Sequence, residues 1–169
     1  VRSRLAGDPE AQALIERLIA QVEDMPVTGR IPAEMNPLKQ RLVRFNPLLE
    51  AGDEVNYALR PNSITVTGAV LADCQLTYSY ATSLYDYLAA CPAHPLASAD
   101  TLYLIQPNGA VKRLGSGHWN QQDAPVAVGA TLYVPIDAAA LTADDEPETF
   151  NDDMAAFIAT QTPAQERVR

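Results

Sequence analysis

The chain has 169 residues, 47 % hydrophobic and 20 % charged, enough for one good core or two small ones in an ordinary globular protein. Acidic residues outnumber basic ones by 21 to 12, giving a formal net charge of −9; a nucleic-acid backbone or an anionic membrane surface repels such a molecule at long range, so neither is an expected partner. No stretch approaches the roughly 20 apolar residues of a membrane span, and no signal peptide is present in this chain, because no charged n-region with an apolar h-region opens it.

Asp8, Pro9 and Glu10 read as the N-cap, first helical position and acidic first turn of a helix over 9–24. Ala11, Leu14, Ile15, Leu18, Ile19 and Val22 recur at helical spacing, which predicts one buried face. Met25-Pro26 ends it. Residues 27–32, VTGRIP, are short and β-prone. Pro37 and Pro47 bias their preceding residues away from helix, so 40–45 is read as strand or irregular chain. Gly52-Asp53 turns the chain into 54–59, where Val55, Tyr57 and Leu59 alternate with polar neighbours as in a half-buried strand.

Beyond Arg60-Pro61-Asn62 the pattern becomes more regular. A strand is predicted over 63–71, a second over 75–81 with Leu76, Tyr78 and Tyr80 on one face, and a short helix from the capping residue Ser83 to about Ala90. Strands over 101–106 and 110–114 flank Pro107-Asn108-Gly109, and an Asn-Gly pair between alternating strands is a strong hairpin signal. A last strand covers 131–136, after the loop around Trp119. The order strand, strand, helix, strand, strand, strand is that of a β-grasp, a mixed sheet wrapped around one helix.

Residues 138–149 read as an acidic linker. A helix over 150–161 then places Phe150, Met154, Phe157 and Ile158 on one face and Asn151, Asp152 and Asp153 on the other, with the acidic turn at the positive end of the helix dipole. About twelve residues rise only about 18 Å, against about 30 Å of bilayer hydrocarbon. This helix is expected to fold back onto the protein's own sheets rather than cross a membrane.

The search for chemistry yields few groups. Cys74 and Cys91 match no metal spacing; they either pair in an oxidising compartment or stand as small buried hydrophobes. His94, between prolines, and His118 have no further ligand at metal-site spacing, so both read as surface or loop histidines and no metal or cofactor is expected. Gly115-Ser116-Gly117-His118 is not a nucleophile elbow, and Asp144, Asp145, Glu146, Asp152 and Asp153 do not hold two carboxyls across a sugar. No catalytic residue is assigned. Two binding candidates remain. Trp119-Asn120 offers either an aromatic platform with an amide for sugar hydroxyls or a buried loop anchor. Arg30 offers either a receptor for carboxylate or phosphate or a structural ion pair.

The stretch LLEAGDEVNYALRPNSITVTGAV resembles the "GD, strand, RP, strand with VTG" segment of outer-membrane polysaccharide export proteins. With YLIQPNGAVKRLGSGHWN and the tail FNDDMAAFIATQTP, the chain is identified as a member of the GfcC family, periplasmic accessory proteins of group 4 capsule and related exopolysaccharide systems. The resemblance implies an α+β protein of two tandem β-grasp domains, with a helical insertion in the first, followed by a C-terminal amphipathic helix, similar to the periplasmic domains of the Wza export channel. On this reading 1–60 holds the helical insertion and remaining strands of the first β-grasp, incomplete at its N-terminus because family members carry strands ahead of the 9–24 helix. Residues 61–137 form the second β-grasp, 138–149 the linker and 150–163 the helix. Arg60-Pro61 is then the passage from one module to the next, proline being tolerated at a strand start. The resemblance further implies an arginine in the cleft of the first domain, for which Arg30, Arg41 and Arg44 are the candidates.

The expected function is that of a non-enzymatic, monomeric periplasmic accessory of capsule or exopolysaccharide export, binding polysaccharide or a component of the export machinery. The alternatives are a polysaccharide-modifying enzyme and a protein-interaction module that uses β-grasp edge strands.

Overall fold

The computed structural model describes residues 9–25, 30–31, 36–42, 48–54, 60–141 and 149–161. Helix α1 spans Pro9–Asp24 and buries Ala11, Leu14, Ile15 and Leu18, the stripe its apolar spacing predicts, while Ile19 and Val22 are half-buried at its margin. Leu14 and Leu18 enter the main core. Polar groups fix the helix there. Arg17 Nη2 donates to the carbonyls of Gly68 at 2.8 Å and Val70 at 2.6 Å, and Gln21 Nε2 donates to Thr67 Oγ1 at 3.0 Å.

The expectation of strand or irregular chain from Gln40 onward is corrected at its first residue, because Pro37–Gln40 form a single helical turn, α2. Pro37 does exclude helix from its predecessor: Asn36 is extended, with φ −79° and ψ 114°. That geometry makes Asn36 an N-cap, its side chain accepting from Leu38 N at 3.0 Å, and puts proline at the helical position where its missing N–H costs nothing. Asp8, the predicted strand residues 55–59 and the remainder of 43–47 lie outside the described residues. Arg30 and Ile31, within the β-prone 27–32, belong to no strand.

The centre of the protein is a five-stranded sheet built from β1 (Ser63–Gly68), β2 (Cys74–Thr77), β3 (Thr101–Ile105), β4 (Val111–Gly115) and β5 (Thr131–Val134). Their spatial order is β2-β1-β5-β3-β4. Only β1 and β5 run parallel; the pairs β1 with β2, β3 with β4 and β3 with β5 are antiparallel. Asn108-Gly109 turns the β3–β4 hairpin, Gly109 adopting φ 80° while Ala110 N donates to Asn108 Oδ1 at 3.1 Å. Helix α3 (Leu84–Ala89) lies between β2 and β3 in sequence and starts with a full capping box formed by Ser83 and Asp86. The bonds from the Ser83 hydroxyl and amide hold the Asp86 carboxyl below its ordinary range. Gly68 ends β1 at φ 100°, and a Cβ there would sit 2.3 Å from the carbonyl of Val134, so side-chain-bearing residues are excluded by both backbone and neighbour.

Alternation within the strands divides the apolar residues between the two faces of the sheet. Ile64, Val66, Leu102, Leu104 and Leu132 form the larger core with Leu84 and Tyr87 of α3. Tyr103, Ile105 and Tyr133 face the other way and are covered by α4 (Phe150–Ala159) through Met154, Ala155 and Ile158. A 3₁₀ turn at Ala138–Ala140 leads from the sheet towards this helix.

The α4 contact is polar as well as apolar, contrary to the expectation that Asn151 and Asp152 point away from the sheet. Asn151 Oδ1 accepts from the Tyr133 hydroxyl and from Ile136 N, each at 3.1 Å, and its Nδ2 donates to Ile136 O at 2.8 Å. The Tyr103 hydroxyl donates to Asp152 Oδ1 at 2.5 Å, and Arg113 lies 4.0 Å from the other carboxylate oxygen and 6.0 Å from the Tyr103 ring centre. Burial, followed by the bond to Asp152, pushes the Tyr103 phenol up to about 12, partly opposed by Arg113. Burial raises Tyr133 as well, with Tyr103 adding to the effect. A phenol whose folded pKa is raised contributes stability that is complete below its unfolded value near 10 and is lost as pH climbs through the folded value. Absorbance titration of the phenolates should therefore show Tyr103 ionising at about 12 in native protein. In a Tyr103→Phe variant the fall in stability above pH 10 should be shallower.

Candidate functional site

A cleft of about 460 Å³ opens between the β2–α3 connection, residues 78–84, and the segment 123–126 that precedes β5. Both walls are pinned by tyrosines of α3. The Tyr87 hydroxyl accepts from Ser79 N at 2.8 Å and donates to Ser79 O at 3.1 Å. The Tyr85 hydroxyl lies 2.7 Å from the carbonyl of Gln122 and accepts from its amide at 3.2 Å. From the far side, Gln106 donates to Pro125 O at 2.7 Å and accepts from Ala127 N at 3.2 Å. The walls are thus set by bonds to regular elements rather than by the cleft residues themselves.

Tyr80 stands at the rim, 96 % exposed. The strand predicted through it stops at Thr77, because pairing with β1 runs out at Ser63 and the chain turns at Tyr80 and Ala81. Tyr80 therefore leaves the apolar face on which alternation placed it. Tyr78, Tyr80 and Thr82 line the cleft, and their hydroxyls have no protein partner among the described residues. Sequence reading missed this site because Tyr78 and Tyr80 were absorbed into a strand; the signal available was the polar run Ser79-Tyr80-Ala81-Thr82-Ser83, which is poor in strand residues.

Trp119 is 81 % exposed, so the buried-anchor alternative is set aside. Asn120 Oδ1 accepts from Gly117 N at 2.9 Å and its Nδ2 donates to Asp100 O at 3.0 Å, bonds that tie the amide to the loop. Gly115 lies against it so closely that a Cβ would fall 2.1 Å from Asn120 O. The pair divides the labour: Asn120 holds the turn and Trp119 is presented to solvent on it.

Arg30 is half-buried and forms no ion pair among the described residues. Nη1 donates to Gln161 O at 3.1 Å and Nη2 to Pro107 O, so the guanidinium joins the end of α4 to the β3–β4 turn. It is not gathered with Trp119. Arg41 is exposed beside α2, and Arg44 lies outside the described residues. His94 corrects the surface reading. It is 8 % exposed, its ring accepting from Leu96 N at 3.1 Å, while His118 is exposed. Cys74 and Cys91 form a disulfide with Cα atoms 6.0 Å apart, tying the start of β2 to the chain just past α3. Among the described residues no three His, Cys, Asp or Glu side chains gather as metal ligands.

Fold and surface together describe an α+β domain with a solvent-open, hydroxyl-lined cleft. Residues 73–163, which hold the cleft, the Trp119 turn, the disulfide and α4, match the family profile described as capsule biosynthesis GfcC C-terminal. The match covers more than half of the chain, and the chain belongs to the GfcC family of capsule biosynthesis, as the motifs in its sequence had indicated.

Proposed function

We propose that this protein is a non-enzymatic periplasmic accessory of capsule or exopolysaccharide export that binds polysaccharide. The observation that carries the reading is the exposure of Tyr80 at the rim of a cleft lined by hydroxyl residues, and of Trp119 on its own turn, both inside the region matched to a capsule-biosynthesis family. Aromatic faces and hydroxyls are binding groups. Among the described residues the cleft pairs no nucleophile with a base, and catalysis is not part of the proposal. The Cys74–Cys91 bridge suits an oxidising compartment such as the periplasm. The order β2-β1-β5-β3-β4 with α3 between β2 and β3 in sequence supports reading 61–137 as a β-grasp module. The covered apolar face beneath α4 supports a monomer.

Trp119 is the only tryptophan, so intrinsic emission reports on its turn alone. Titration with purified capsular polysaccharide should change that emission saturably, and Trp119→Ala should weaken binding measured by calorimetry. Neither effect is expected if the protein recognises only another protein. That second reading, the interaction module, has one specific support: among the described strands β4 lies at an edge, with Val111, Lys112 and Arg113 exposed, and such an edge accepts an added strand. Crosslinking that joins β4 to an export-machinery component, in protein that binds no polysaccharide, would favour it.

A further inference from the structure

We infer that the cleft between 78–84 and 123–126 is a subsite for an uncharged stretch of sugar, an assignment that rests on the polysaccharide-binding reading and specifies the ligand. Its rim offers the freely exposed ring of Tyr80, and its lining offers the unpartnered hydroxyls of Tyr78, Tyr80 and Thr82. An aromatic face beside groups that both donate and accept hydrogen bonds matches a pyranose, which presents C–H groups on one face and hydroxyls around its edge.

Charge selects among sugars. Asp123 lines the cleft, and among the described residues no Lys, Arg or His does. Asp86, held ionised further into acid than an ordinary carboxyl, accepts from the capping residue Ser83 on the same wall. A uronic acid, a pyruvyl ketal or a phosphate drawn into this cleft would meet like charge with no cation to pair it, and an unpaired charge removed from water is costly. Arg30, a candidate anion receptor on sequence grounds, is bound instead to the carbonyls of Gln161 and Pro107. The cleft is also largely built before any ligand arrives. Tyr85, Tyr87 and Gln106 fix its walls, which keeps the ordering cost of binding small.

The test uses the full chain, labelled for amide NMR, with two probes: neutral hexose hexasaccharides in α- and β-linked forms, and an oligogalacturonate of equal length. The neutral oligomers should shift amides of 78–84 and 123–126, with an affinity that barely changes between about 50 mM and about 500 mM salt. Tyr80→Ala should weaken that binding about tenfold and Thr82→Val about threefold, while both variants keep the wild-type spectrum elsewhere. If the oligogalacturonate shifts the cleft amides more strongly, or the neutral oligomers bind only at 116–121, the inference is overturned and polysaccharide binding still stands. Intact capsular polysaccharide bound equally well by wild type and Tyr80→Ala has the same meaning. If neither oligomers nor intact polysaccharide bind, both readings fail together.

Discussion

Replacing Cys74 and Cys91 together by alanine is expected to lower the melting temperature by on the order of 15 °C. The bridge closes a segment of 17 residues, and a loop of that size restricts the unfolded chain by about 3 kcal/mol; in a domain of roughly 100 residues each kcal/mol moves the midpoint by about 4–8 °C. Alanine is the cleaner replacement because Cys91 is 3 % exposed within the main core, where a serine hydroxyl would add an unpaired polar group. The position of the bridge makes the effect local as well as global. Among the described residues β2 is an edge strand of four residues paired on one side only, and the disulfide ties its first residue to the end of α3, the helix whose tyrosines fix both cleft walls. Reduction should therefore loosen 78–84 before the rest of the domain unfolds. Reduced wild type and the double variant should melt alike and bind sugar more weakly. A melting temperature indifferent to reductant would show that the bridge does not stabilise the native domain.

The order of elements in 63–136 was legible because each rests on a local signal: the alternation in SITVTG, the capping box at Ser83, the Asn-Gly turn. The burial of His94 was not legible. Its ring is enclosed by the chain crossing from α3 to β3, where His94 N reaches Ala69 O at 3.0 Å and the bridges Val70 to Ala93 and Ala97 to Ile136 pin the segment, contacts distant in sequence. The same is true of Arg30, whose partners lie 131 and 77 residues away. No spacing in VTGR forecasts two carbonyls from the far end of the chain. The candidate site was half legible. Trp119 was visible as a lone aromatic in a loop, but the fate of Asn120 depended on Asp100, and the cleft depended on where β2 stops. Strand pairing, not residue propensity, decides that end: once Ser63 has paired with Thr77, nothing remains on β1 for Tyr78 or Tyr80 to join except the single bond from Tyr78 N to Asn62 O.

Truncation after Glu148 should have the largest effect of any change considered. It removes α4 and uncovers Tyr103, Ile105 and Tyr133, which are at most 4 % exposed in the intact protein. It also strips the partners of the two phenols, of the Ile136 peptide and of one donor of Arg30. Losing the cover of Met154, Ala155 and Ile158 together with these bonds amounts to on the order of 5 kcal/mol, enough to consume much of the stability of a small domain. The truncated protein should melt about 20–40 °C lower, on the same scale of degrees per kcal/mol, and bind a dye that reports apolar surface. Should it fail to fold at all, Asn151→Ala isolates the polar part of the contact: it leaves Tyr133, Ile136 N and Ile136 O to find other partners and should cost about 2–3 kcal/mol. Among the described residues no helix is long and apolar enough to cross a membrane, and α4, at ten residues, rises only about 15 Å. Its apolar side is already matched to the sheet, and Asn151 is matched to the Ile136 peptide at both donor and acceptor. A helix held in this way stabilises its own domain. If truncation leaves the melting temperature unchanged while abolishing association with a partner or a membrane, the helix is an interaction element and the docked arrangement is not its working state.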